Sequence, residues 1–248
     1  MSVSKTLYEA RKRNVPVEAK DINVNNLKEA YDIQDEILNL KKDDGETLKG
    51  YKISLTSEGT QKLFNSTHPL YGAMTDRQIV KTVSLNDYNE PLLELELVFI
   101  VQEELSSEDS VEDIMKKCTV APGIEVPDGR YKNWFPNISM FHVIADTAVS
   151  GSVVIGEDQS FNYEDLKNID GMIFFNGKSV KTGNSNDVLD HPTHAVKWLV
   201  EALDARGDKL TKGMFVSSGT FISPLQLEKG EYKAEYKTIG TVKLTVTD

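Results

Sequence analysis

One strand constrains this chain more than any other stretch of it. Leu92-Leu93-Glu94-Leu95-Glu96-Leu97-Val98-Phe99-Ile100-Val101 has the composition of a buried β-strand, yet it carries two glutamates. Side chains alternate between the faces of a strand, so Leu93, Leu95, Leu97 and Phe99 share one face. Glu94 and Glu96 share the other, less than about 7 Å apart. Val98 and Ile100 continue the glutamate face, which therefore is not simply solvent. Two like charges side by side on a partly buried face repel, and each carboxyl pKa rises unless a cation lies between them. A hard divalent ion such as Mg²⁺ or Mn²⁺ prefers carboxylate oxygens and resolves the conflict. The plain alternative is a wet strand face, and for Glu-x-Glu alone that is the ordinary reading.

A third carboxylate changes the balance. In Ala121-Pro122-Gly123-Ile124-Glu125-Val126-Pro127-Asp128, Glu125 stands among Ile124, Val126 and two prolines. An isolated carboxylate there is expensive to bury without a partner. A metal would serve, and so would a salt bridge to Arg130 or to a lysine. Lys52, in Gly50-Tyr51-Lys52-Ile53-Ser54-Leu55-Thr56-Ser57, is a cation inside an apolar strand. It reads either as a snorkelling surface lysine or as a positive charge facing the carboxylates.

Around these residues the pattern is rich in strands. Leu27, Ala30, Tyr31, Ile33, Ile37 and Leu38 fall at helical spacing within a helical first 40 residues, with Asn25-Asn26 as a cap. From Ile79 the period changes. Ile79–Val83, Leu92–Gln102, Val120–Val126, Ala148–Ile155, Gly171–Phe175, Met214–Ser217, Thr220–Leu225, Tyr232–Tyr236 and Thr241–Val246 all read as strands. Helices interrupt at Ser110–Lys117 and from Asp190-His191-Pro192 to Ala205, with Asp190 as the expected N-cap. Strands separated by so few helices point to an α+β fold around a curved, mostly antiparallel sheet, not a doubly wound parallel one. At 248 residues one domain suffices, with residues 1–75 as an N-terminal helical or lid portion and 76–248 as a β-rich core holding the metal site.

Composition narrows the function classes. The net charge is −11, and no basic stripe offers a nucleic-acid surface. No apolar run approaches the roughly 18 residues that span a bilayer, and Met1–Asn14 lacks the apolar segment of a signal peptide. The single Cys118 excludes an intrachain disulfide and a cysteine zinc site. A reducing cytoplasm is the expected compartment.

The motifs, taken in order, resemble one family. Gly50–Ser57 looks like the Gly-Tyr-Lys-Ile-Gly-Leu-Thr-Ser motif of the 2-oxopent-4-enoate hydratase and 4-oxalocrotonate decarboxylase family, within the fumarylacetoacetate hydrolase superfamily. Glu94-Leu95-Glu96 resembles its paired metal ligands, and Ala121–Arg130 resembles the segment in which Glu125 would be the third. Ala145–Gly151, His191-Pro192 with Ala195–Leu199, Ser217–Thr220 and Ile239–Val242 also match. The resemblance covers about Leu7 to Val246. It implies a barrel-like, largely antiparallel sheet with helices outside, a Mg²⁺ or Mn²⁺ cofactor, a homo-oligomer, and small 2-oxo or 2-hydroxy-dienoic acids as substrates. It also implies Lys52 as a catalytic and substrate-binding residue, with Ser150 and Thr220 as further substrate contacts. The expected reaction is addition of water at C4 of a 2-hydroxypenta-2,4-dienoate, with a 4-oxalocrotonate-type decarboxylation as the alternative. Cleavage of acylpyruvates and a non-catalytic partner role rank lower.

The chain departs from the family at four places. Ser54 replaces a glycine, and Pro127-Asp128-Gly129-Arg130 replaces Val-Asp-Ser-Arg. Thr182–Asp190 lacks a small-residue run. Leu70 stands where many members carry an acidic residue suited to proton transfer. Remaining candidates have structural readings. His191 and His194 flank Pro192 at a helix start and read as capping and packing. His142 reads as a core or interface histidine, His68 as a loop residue and Cys118 as a small buried hydrophobe.

Overall fold

The structure, a computed structural model, describes residues 1–248. Twelve strands build two sheets. They are β1 (Leu48–Ser54), β2 (Leu70–Thr75), β3 (Thr82–Ser84), β4 (Leu92–Val101), β5 (Cys118–Val126), β6 (Ser152–Ile155), β7 (Asp170–Phe175), β8 (Lys178–Asn184), β9 (Phe215–Thr220), β10 (Leu225–Gln226), β11 (Gly230–Tyr236) and β12 (Gly240–Thr247). The larger sheet runs β2-β1-β9-β4-β5-β6, with β10 on the end of β4. The smaller runs β3-β12-β11-β7-β8. Only the β1–β9 and β3–β12 pairs are parallel. The mixed, mostly antiparallel α+β architecture expected from the strand pattern is therefore present.

Helices lie outside the sheets: α1 (Val3–Arg13), α2 (Leu27–Asp43), α3 (Glu58–Leu63), α4 (Val111–Lys117), the short turn α5 (Trp134–Asn137), α6 (Met140–Ala145) and α7 (Pro192–Asp204). Asn26 caps α2 by accepting from the Glu29 amide at 3.0 Å. The first 75 residues contribute β1 and β2 to the larger sheet as well as α1 and α2. No helix is long and apolar enough to cross a membrane.

The central strand β4 divides the core. Leu93, Leu95, Leu97 and Phe99 are fully buried in the main hydrophobic cluster. On the glutamate face, Val98 packs with Met74, Ala121, Val153 and Phe215, and Ile100 covers that group. Glu94 and Glu96 thus sit at the edge of a second, smaller core, as the apolar turn of that face after Glu96 requires.

Several boundaries differ from the sequence pattern. Ile79–Val83 is a strand only from Thr82, because Asp76–Gln78 forms a single tight turn closed by a Thr75–Gln78 capping box. Ala148–Ile155 is a strand only from Ser152. Thr147, Ala148 and Val149 instead have φ of 53°, 50° and 49°, a left-handed turn that β-branched side chains disfavour. Thr220–Leu225 is not a strand; β9 runs on to Thr220, and Pro224 precedes the short β10. The cap of α7 is His191, whose Nδ1 accepts from the Thr193 amide at 3.2 Å, and not Asp190, which has φ 65°. Strands β2 and β8 carry no alternating signal. β2 is buried at every position, and β8 is polar along an edge.

The left-handed turn and β2 depend on each other. A Cβ on Gly72 would lie 2.0 Å from the Thr147 carbonyl oxygen. Gly72→Ala is expected to lower stability by about 1–3 kcal/mol through overpacking, read as a lower urea midpoint with unchanged m. An unchanged midpoint would show that this approach does not constrain the fold.

Candidate metal centre

Antiparallel register builds the centre. Glu94 on β4 stands opposite Glu125 on β5, and Glu96 stands opposite Gly123. Directly opposed side chains have Cβ atoms about 4.5–5.5 Å apart, so Glu125 joins the two glutamates that alternation already placed together. Carboxylate oxygens of Glu94, Glu96 and Glu125 lie within 4.8 Å of one another. Gly123 keeps the strands close at this point, because a Cβ there would meet Val98 Cγ2 at 2.5 Å.

Lys52 reaches the cluster across the sheet. Its strand β1 lies three strand spacings from β5, about 14 Å in a flat sheet. Its Nζ nevertheless lies 2.7 Å from Glu125 Oε1, with both side chains buried. Only strong curling brings the two within reach of long side chains. Lys52 is therefore not a snorkelling surface residue. Nor does Arg130 pair with Glu125: its Nε donates to Asp146 Oδ1 at 2.6 Å, and its Nη1 donates to the Ser150 carbonyl at 3.0 Å. That clamp holds the left-handed turn.

Strand β9 orients Glu96. Ser217 Oγ donates to Glu96 Oε2 at 2.6 Å, and the Gly219 amide donates to the same oxygen at 3.0 Å. Gly219 has φ 113°, and a Cβ there would lie 2.4 Å from Thr56 Oγ1, so both conformation and space call for glycine. From the second sheet, the Tyr236 hydroxyl meets the Glu96 carbonyl at 2.7 Å and also that of Gly123. Ser217, Gly219 and Tyr236 carry no local signal for this role: a bulge in the β4–β9 register places the first two, and the packing of β11 from the second sheet places Tyr236.

These constraints leave acceptors unused. Glu96 Oε1 and Glu125 Oε2 are buried without a hydrogen-bond partner. Native proteins rarely tolerate that, and three carboxylates, Glu94 half-buried and Glu96 and Glu125 buried, face one ammonium. Burial pushes the Glu94 carboxyl up to about 7, with Lys52 opposing and Glu125 reinforcing the shift. Burial also raises Glu96 well above the usual range, and Glu125 and Glu94 add to it. For Lys52 burial favours the neutral amine, but the carboxylates, Glu125 foremost, outweigh it and hold the group as an ammonium. Hard oxygen donors, converged and partly unsatisfied, with Ser217 and the Gly219 amide fixing Glu96, fit a divalent cation.

A cavity of about 540 Å³, counted out to its open mouth, adjoins the cluster. Lys52, Glu94 and Thr220 line its polar side, and Phe64, Trp134, Phe135, Val143 and Val149 line its apolar side. Thr220 faces this space with its hydroxyl 3.1 Å from the Ile222 carbonyl. Ser150 does not line it. The Ser150 hydroxyl is buried, 2.8 Å from Thr147 Oγ1 and 3.2 Å from Gln78 Nε2. Leu70 is buried, pairs with Ser54 and also lies outside the lining. The histidines are occupied elsewhere. His191 stacks on Tyr163 at 3.9 Å between ring centroids, and His194 Nε2 lies 2.9 Å from the Tyr163 hydroxyl. His142 Nε2 meets the Ile22 carbonyl at 2.9 Å.

The raised pKa of Glu94 gives a pH signature. Without metal, the folded state binds more protons than the unfolded one between the ordinary carboxyl value and about 7, so stability falls as pH rises through that window. Thermal melts of metal-free wild type and Glu94→Gln should therefore diverge from about pH 4.5 to 7, with the variant gaining, and run parallel above it. A constant difference over this range would rule out the raised pKa.

Comparison with known proteins places this geometry. No family model matches the sequence. The chain is 30% identical over 227 residues to the 2-oxo-hept-4-ene-1,7-dioate hydratase of Escherichia coli, covering 87% of this chain and 85% of the relative. It is 28% identical to the 4-oxalocrotonate decarboxylase of Pseudomonas putida, over 86% of this chain and 83% of that one. The structure of 4-oxalocrotonate decarboxylase from Pseudomonas putida G7, complexed with magnesium and adipate, superposes with a TM-score of 0.89 at 25% identity, covering 98% of this chain and 95% of that one. Fumarylpyruvate hydrolase from Pseudomonas aeruginosa, in complex with Mn²⁺ and pyruvate, shares the fold at a TM-score of 0.62 and 13% identity over 80% of this chain and 89% of its own. With sequence, fold and carboxylate cluster in agreement, this chain belongs to the 2-keto-4-pentenoate hydratase and 4-oxalocrotonate decarboxylase family.

Proposed function

We propose that this protein is a divalent-metal-dependent hydro-lyase that adds water to a 2-hydroxy-2,4-dienoic acid. The observation that carries this reading is the convergence of Glu94, Glu96 and Glu125 at the inner end of a small cavity, with Lys52 beside them. The hydratase and magnesium-bound decarboxylase relatives support it.

Glu94, Glu96 and Glu125 would hold Mg²⁺ or Mn²⁺, which when bound supplies a Lewis acid for the 1-carboxylate and 2-oxygen of the substrate. Lys52 Nζ, kept protonated by its carboxylate neighbours, places a positive charge where negative charge grows on that oxygen. Ser217 and the Gly219 amide keep Glu96 in one orientation, so the ligand set is preorganised. Phe64, Trp134, Phe135, Val143 and Val149 pack the hydrocarbon part and limit water to the reacting end. Thr220 lies where its hydroxyl can contact substrate or the added water. Glu94 is the one carboxylate in the lining, so proton movements at the far end fall to water and to the hydroxyls of Ser54, Thr56 and Thr60.

Decarboxylation of a 4-oxalocrotonate-type substrate is the second reading, favoured by the close likeness to the magnesium-bound decarboxylase. It requires a site for a second carboxylate. Lys52 is the one cationic residue in the lining and is already engaged with Glu125, so the apolar wall suits an uncharged tail better.

The two readings separate when 2-hydroxypenta-2,4-dienoate and 4-oxalocrotonate are supplied individually with Mg²⁺ and products are followed by NMR. Hydration of the first is expected; CO₂ release from the second without hydration of the first would make the enzyme a decarboxylase. Glu96→Gln should remove metal-dependent turnover, and a variant equally active in chelator would sink the ligand set. Lys52→Ala is expected to lower kcat by at least about 10²-fold, the loss typical of a transition-state charge contact, with an unchanged circular dichroism spectrum. Near wild-type turnover would exclude Lys52 from the reaction.

A further inference from the structure

A second cavity lies between the end of α1, residues 77–89 and the segments that follow β5 and lead into β6. It has about 880 Å³ of empty space and shares no lining residue with the first cavity. Neighbouring residues divide between the two: Pro127 and Val149 line the first, Asp128 and Ser150 the second.

Its chemistry is cationic and incompletely paired. Arg11, from the last turn of α1, lines it, and the buried Nη1 of that side chain has no hydrogen-bond partner. Arg130 lines it as well, but Asp146 and the Ser150 carbonyl take up its donors. Close behind, the buried Lys41 Nζ donates to the neutral Gln78 Oε1 at 3.2 Å, and burial, with the charges of Arg11 and Arg130, pushes its pKa well below the usual lysine value, so it adds no charge of its own. Burial and the repulsion of Arg130 work against the charge on Arg11, and the attraction of Glu46 and Asp146 does not outweigh them. A guanidinium does not relieve such a conflict by losing its proton, so an anion is the remaining remedy. Tyr88 and Ser152 present hydroxyls in the same lining, 2.5 Å from each other.

We propose that this cavity is a binding site for a small monocarboxylate, gripped by the Arg11 guanidinium. The planar fork of arginine matches a carboxylate with two parallel hydrogen bonds. Two acidic residues of the lining set the ligand's charge. Asp87 stays in the wall, and Asp128 accepts from the amides of Asn89 at 3.1 Å and Glu90 at 2.9 Å. Arg77 also lines the cavity, its Nη2 donating to the Asp44 carbonyl at 3.0 Å, so three guanidiniums face two carboxylates, and the excess of one positive charge matches a single negative charge better than a dianion such as phosphate.

Thermal melting of the Mg²⁺-loaded protein in sodium acetate, against sodium chloride and inorganic phosphate at equal ionic strength, tests this. Wild type should gain Tm saturably with acetate and not with phosphate. Arg11→Met should lose the acetate-dependent gain while melting no lower than wild type in chloride, because it removes an unpaired charge. Any acetate bound at the catalytic metal would act equally on both proteins and cancel. Arg11→Lys, which keeps the charge without the fork, should need about tenfold more acetate for half the gain. An equal acetate response in wild type and Arg11→Met, or none in wild type, would overturn the site. A phosphate response matching that of acetate would overturn the monocarboxylate assignment. A gain that rises with protein concentration would mean that a carboxylate of a second copy fills the cavity, and would overturn the small-molecule proposal.

Discussion

Three carboxylates and one ammonium share a volume from which water is almost excluded, and most features of the larger sheet follow from keeping them there. Lys52 meets Glu125 at 2.7 Å from a strand that would lie about 14 Å away in a flat sheet. The sheet must therefore curl, and the close approaches at Gly72, Gly123 and Gly219 are where it has room to do so. A buried pair of this kind is weak evidence for stability, since desolvation offsets most of the attraction. It is better understood as part of a binding site whose charge is completed by a cation.

The surrounding structure holds the site by indirect means. Arg130 is spent on Asp146 and the Ser150 carbonyl, and so fixes a left-handed turn of three non-glycine residues. Such a turn is unfavourable in isolation. Here it directs Val149 into the cavity beside the carboxylates and leaves Ser150 on its far side. The same segment thus shapes both cavities, and the arginine that sequence offered as a partner for Glu125 turns out to support the frame.

Legibility followed the range of the interactions. Glu94 and Glu96 could be paired from alternation alone, because a strand's period is a local property. Glu125 could be singled out as an awkward carboxylate, but not assigned a partner, because its register with Glu94 depends on how β4 and β5 align. The left-handed turn at Thr147–Val149 was unreadable, since its residues favour strands locally and only the Arg130–Asp146 clamp overrides them. Strand β2 was missed because a segment buried at every position shows no alternation.

By itself, then, the sequence determined the strand-rich class, the face shared by Glu94 and Glu96, and, through its ordered motifs, the family. Tertiary structure decided which cation faces Glu125, that Thr220 and not Ser150 lines the cavity beside the carboxylates, and that Arg11 Nη1 is left without a partner beside a second one. The division has a physical cause. Periodicity and propensity act over a few neighbouring residues, whereas curl, register and burial are set jointly by strands far apart in the chain, and only their packing determines which charges meet.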